Sequence, residues 1–197
     1  MRIFLLPFVL WAALSAQTGP NSLPGDQYRF PPNSRRDPWQ KPDQVIKALN
    51  FSASESVAVI EVGYAYFAPR IAPLVKKVYA VNTDSRAFEG PGSLPPSIST
   101  IVSTSANPFI SGLNVDTVVL VDILRNVPQR MAYYQAVMLG LKPGGRLVII
   151  DRKFPAVFPA SMIITDTGLE SELRLAGFNF QQEYTFLSNQ YFLVFQR

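Results

Sequence analysis

Leu141-Lys142-Pro143-Gly144-Gly145-Arg146-Leu147-Val148-Ile149-Ile150-Asp151 is the stretch on which the reading of the fold turns. A proline and two glycines in its first half stop a helix and redirect the chain. The apolar run that follows, residues 146–151, has the character of a strand buried on both faces, as in a parallel sheet. Immediately upstream, Met131, Tyr134, Val137 and Met138 fall at helical spacing behind Pro128, predicting a helix over 128–139 with the proline in its first turn. Further upstream, β-rich runs at 57–62, 77–81, 98–103 and 117–122 alternate with helical or loop stretches, including predicted helices at 42–49 and 67–74. Downstream, Thr167-Gly168-Leu169-Glu170 fits a capping box for a helix that stops at Gly177. Two more strands, 178–186 and 190–195, are separated only by Leu187-Ser188-Asn189. So short a link forces them antiparallel, because a parallel return needs a crossover of about a dozen residues.

The expected fold class is therefore α/β: a Rossmann-like, doubly wound, mostly parallel sheet ending in a C-terminal antiparallel hairpin. The ends of the chain add three expected segments. Residues 1–16 read as a signal peptide: Arg2, the apolar run Ile3–Leu14, then small residues up to Ala16. The run is shorter than the roughly 20 apolar residues that span a bilayer, so no stable membrane span is expected after cleavage. Residues 17–40, with Pro20, Pro24, Pro31, Pro32 and Pro38, read as a Pro-rich arm that Trp39 docks on the domain. Residues 41–197 form the domain. The expected location is periplasmic or secreted.

The chain contains no Cys and no His. Disulfides, imidazole metal ligands and Ser-His or Cys-His catalytic pairs are thereby excluded, and no metal site is expected. The net charge of +4 is spread along the chain, with Arg35-Arg36 and Lys76-Lys77 as the adjacent basic pairs. A nucleic-acid surface needs stronger clustering, so the expected partner is a small molecule or a protein.

Leu141–Leu147 before the fifth strand, the Trp-Gln-x-Pro entry at Trp39–Pro42 and the final Gln-Tyr-Phe-Leu-Val-Phe at Gln190–Phe195 together resemble class I S-adenosylmethionine-dependent methyltransferases over roughly residues 35–197. The resemblance implies S-adenosylmethionine as cofactor and an acidic-x-Gly-x-Gly-x-Gly loop after the first strand. Here that loop reads Val59-Ile60-Glu61-Val62-Gly63-Tyr64-Ala65-Tyr66-Phe67. One register places Glu61, Gly63 and Ala65 on the three glycines, and the other makes Glu61 the acidic residue, with Gly63, Ala65 and Phe67 on the glycines. In either, one glycine of three remains, and the Ala65 methyl and Tyr64 ring are expected to narrow the loop.

The resemblance also implies an acid holding the ribose at the end of the second strand, where Asn82 stands, with Asp84 two residues on as a substitute or as a turn cap. Asn107 stands near the position of the adenine contact. Asp122 matches the Asp of an Asp-x-Leu-His-His-Val motif, while Arg125 and Asn126 replace the histidines. Asp151 and Lys153 read as a solvated strand end. No catalytic residue is assigned. Two functional readings follow: an exported methyltransferase-like protein with weakened or lost cofactor binding, or a non-catalytic module that uses the remodelled crevice or its surface for another ligand or a protein.

Overall fold

The computed structural model describes residues 36–89, 94–153 and 164–197. The expected signal peptide, and the arm up to residue 35, lie outside them. Among the described residues, seven strands form one sheet: β1 (Ser56–Glu61), β2 (Lys77–Asn82), β3 (Ile98–Val102), β4 (Val115–Val121), β5 (Leu141–Arg152), β6 (Asn179–Glu183) and β7 (Gln190–Gln196). Their order is β3-β2-β1-β4-β5-β7-β6. The first five run parallel, and β7 pairs antiparallel with both β5 and β6. The chain builds outward from β1 in one direction through β3 and then restarts at β4 on its other side. The gap above β1 and β4 is thus the topological switch point, where open α/β sheets form their ligand crevice.

Alternation along the strands divides the core into two layers. Ala58, Ile60, Val118, Leu120, Leu147, Ile149, Leu193 and Phe195 pack on one side with Tyr134, Val137, Leu169 and Leu173. Those last four residues lie on α4 (Arg130–Gly140) and α5 (Asp166–Leu175). Val57, Val59, Val119, Val121, Val148, Ile150 and Phe192 pack on the other side with Val45, Leu49 and Ile71. This second layer is covered by α2 (Pro42–Leu49) and α3 (Ala68–Ile71), the latter continuing as a 3-10 turn over Ala72–Leu74. The last residues of the expected arm form a helical turn, α1 (Asp37–Gln40), whose Gln40 is buried.

Local expectations shift at four places, the first being β6, which ends at Glu183, short of the expected residue 186. The helix after β4 begins at Arg130, so Pro128 lies outside it, and its buried face is Tyr133, Tyr134, Val137 and Gly140 while Met131 is exposed. The hydroxyl that caps α5 belongs to Thr165, which accepts the Gly168 N–H at 3.0 Å; Thr167 instead lies inside the helix. The Leu141–Gly145 segment is already part of β5, with a register break opposite Val115 and Thr117 that absorbs the turn-like residues, among them Gly144 at φ 74°. Among the described residues, no helix is long and apolar enough to cross a membrane, and no cluster of acidic side chains has metal-site geometry.

Candidate functional site

Nine polar or charged side chains are buried among the described residues, and eight gather at the carboxyl edge of the sheet: Glu61, Asn82, Ser103, Asp122 and Asp151 at or just past the ends of the parallel strands, with Arg36, Gln40 and Gln190 beside them. Burying so many polar groups is costly unless they satisfy one another. This edge is therefore the candidate site.

Glu61 ends β1, and its carboxylate turns back under the following loop. Oε1 accepts the main-chain N–H of Tyr66 at 2.8 Å, and both carboxylate oxygens accept that of Phe67 at 3.2 Å. Ala68 adds a longer contact at 3.5 Å. Burial pushes the Glu61 carboxyl above its ordinary pKa, opposed by the Arg36 charge and by these N–H groups. Gly63 adopts φ 80° at the turn of the loop, a conformation open to glycine. Ala65 is buried and its N–H donates to the Ala87 carbonyl at 3.2 Å, tying the loop to the turn after β2. Tyr64 does not narrow the loop as expected: its side chain is exposed, whereas Tyr66 and Phe67 are fully buried and meet edge to face.

Asn82 ends β2 with its amide turned toward the same loop. Nδ2 donates to the carbonyls of Glu61 at 2.6 Å and Gly63 at 2.8 Å, and Oδ1 accepts the Asp84 N–H at 3.0 Å. Asp84 caps the 3-10 turn Ser85–Phe88 by accepting the Arg86 N–H, and it pairs with the Arg86 guanidinium at 2.7 Å in solvent. That pairing holds its carboxyl below the ordinary range. Asn107 is exposed and likewise serves a turn: its Oδ1 accepts the Phe109 N–H at 2.8 Å.

Asp122 follows β4 at φ 54°, a left-handed conformation uncommon for a residue with a Cβ. Its Oδ1 accepts Gln190 Nε2 at 2.9 Å and lies 3.7 Å from Arg152 Nε. Asp151 is buried, not a solvated strand end, because Leu124 and Arg152 donate their N–H groups to its carboxylate at 2.9 and 2.8 Å. The two carboxyls end adjacent strands, and burial raises the pKa of both. Asp122 is pulled back mainly by Arg152 and Arg36, while the Asp122 charge adds to the rise at Asp151.

Arg36 closes the cluster from the α1 side. It is 1% exposed, its Nε donates to Gln40 Oε1 at 2.7 Å, and its guanidinium lies 4.1 Å from the Tyr66 ring centroid. Burial lowers its pKa, opposed by the charges of Glu61 and Asp122. Trp39, half-buried on the same turn, has the Arg152 guanidinium 5.4 Å from its ring centroid. Sequence reasoning brought Glu61, Gly63, Ala65, Asn82 and Asp122 to this edge but left Arg36, Gln40, Gln190 and Asp151 unassigned to it. Gln40 and Gln190 carried a signal, as polar residues placed beside apolar runs. Arg36 carried none, since apart from Gln40 the groups it meets, Tyr66, Glu61 and Asp122, are distant in sequence.

No protein-family model and no curated protein matches the chain. Solved structures do. A SAM-dependent methyltransferase from Aquifex aeolicus superposes with TM-score 0.70 at 15% identity, over 82% of this chain and 92% of the other. A TehB-like SAM-dependent methyltransferase from Corynebacterium glutamicum gives TM-score 0.63 at 13% identity, over 83% and 96%. A possible exported protein from Bordetella parapertussis gives TM-score 0.59 at 14% identity, over 80% and 67%. With its sheet order, its single antiparallel strand inside an otherwise parallel array and these superpositions, the chain has the methyltransferase-like fold of the class I S-adenosylmethionine-dependent enzymes.

Proposed function

We propose that this is an exported, non-methylating protein of methyltransferase-like fold, in which the chain's own side chains take up the bonds that a cofactor would make in the crevice. The Glu61 carboxylate carries this reading. It engages successive main-chain N–H groups of the loop after β1, donors that otherwise stand ready for an anionic ligand group. A cofactor carboxylate brought there would meet a like charge at close range, which costs roughly 1 to 4 kcal/mol depending on screening.

The residues at the second contact do not fit the cofactor either. A ribose diol needs acceptors at the end of β2, whereas Asn82 turns both amide hydrogens to its own loop and its oxygen to Asp84. Asn107, near the expected adenine contact, spends its oxygen on Phe109. Export is supported by the signal-like residues 1–16 and by the description of the Bordetella parapertussis neighbour.

The test is a titration of the full chain with S-adenosylhomocysteine followed through the amide resonances of Tyr66, Phe67 and Ala68. The reading expects those resonances to stay in place. Saturable shifts confined to them and to Asn82 would restore the methyltransferase reading.

A further inference from the structure

We propose that the crevice at the switch point is a guanidinium-binding site, filled in cis by Arg36. The reading extends the one above, and its test uses no cofactor, so the two can fail separately.

The cluster has what a planar cation needs. The Tyr66 ring supplies a flat apolar face, with the Arg36 guanidinium 4.1 Å from its centroid. That ring is itself held rigidly. Arg70 lies 4.1 Å from the same centroid, donates to the Tyr66 carbonyl at 2.9 Å and pairs with Asp37 at 3.2 Å, while the Tyr66 hydroxyl donates to Asp37. At the edge of the guanidinium, Gln40 accepts from Nε at 2.7 Å. Glu61 and Asp122 balance the charge.

A second observation points the same way. Among the described residues, Asp122 Oδ2 and Gln190 Oε1 find no hydrogen-bond partner, in residues that are 3% and 1% exposed. Leaving a carboxylate oxygen so is expensive unless cations stand nearby, and at Asp122 both Arg152, 3.7 Å from Oδ1, and Arg36 act on the charge. An ammonium group would satisfy the charge but not the stacking, because it is compact and strongly hydrated. The flat Tyr66 face and the Gln40 acceptor thus suit a planar cation.

Chemical rescue tests this. Arg36→Gly in the full chain leaves the stem and the cation vacant. Millimolar methylguanidinium should raise the thermal midpoint of R36G by about 3 °C or more, the scale on which specific ligand binding stabilises a domain of this size. The unsubstituted chain should not respond, and methylammonium should not rescue R36G. Equal shifts with the two cations, or an equal rise in the unsubstituted chain, would overturn the proposal.

If R36G does not fold, the unsubstituted chain still decides. The Arg36 Nε–H, assigned by its contacts to the Tyr66 ring, should exchange with solvent at least tenfold more slowly than that of exposed Arg86. Exchange at the Arg86 rate, or no contact between the Arg36 side chain and Tyr66, contradicts the site.

Discussion

The side-chain amide of Asn82 donates to the main-chain carbonyl of Glu61 at 2.6 Å, so that the end of β2 holds the end of β1 through a donor that a carboxylate does not have. The second amide hydrogen does the same for Gly63. Asn82→Asp, which puts in place the acid that the resemblance implies, sets carboxylate lone pairs against two carbonyl oxygens. It should destabilise the domain by about 2 kcal/mol or more, against near-neutral values for ordinary surface changes. Urea unfolding of N82D measures this. An unchanged midpoint would mean that the loop does not depend on the amide.

The buried acids predict an unusual pH dependence. An Asp in the unfolded chain titrates near about 3.9, while burial, with the Asp122 charge, pushes Asp151 up to about 7. Between those values the folded protein holds a proton that the unfolded chain has released. The contribution of Asp151 to stability is therefore fully present below about pH 4 and is lost as pH rises through about 7, at up to about 1.4 kcal/mol per pH unit. Asp116, where burial raises the carboxyl but Lys142 and the Ser56 N–H together bring it below its ordinary range, acts in the opposite sense at the acid end. Denaturation midpoints across this range should fall with rising pH, and Asp151→Asn should flatten the slope.

At α5 the two threonines separate. Thr165→Ala removes the hydroxyl that receives the Gly168 N–H and should cost about 1 kcal/mol. Thr167→Ala, inside the first turn, should change stability by less than about 0.5 kcal/mol. Thermal melts of the two variants rank them, and the reverse order would place the cap at Thr167.

These residues also show what a sequence makes legible. The strand runs, the redirecting glycines before Arg146 and the short link before Gln190 act through local pattern, and the mostly parallel sheet with its C-terminal hairpin followed from them. Thr165 was missed because two hydroxyls stand two residues apart and only backbone geometry selects between them. At the site, sequence alone marked Glu61 and Asn82 as departures from a motif. It did not reveal the hydrogen bonds each makes, since Glu61 reaches five to seven residues ahead and Asn82 reaches about twenty back. Arg36 was still less visible: its role depends on Tyr66, Glu61 and Asp122, which only the folded sheet brings together.

The central claim is that Glu61 and Asn82 have taken up the crevice contacts themselves. Isothermal calorimetry of the full chain with S-adenosylmethionine and with S-adenosylhomocysteine tests it most directly. No binding tighter than about 100 μM, roughly −5.5 kcal/mol, is expected for either compound. A dissociation constant below that for either one would contradict it.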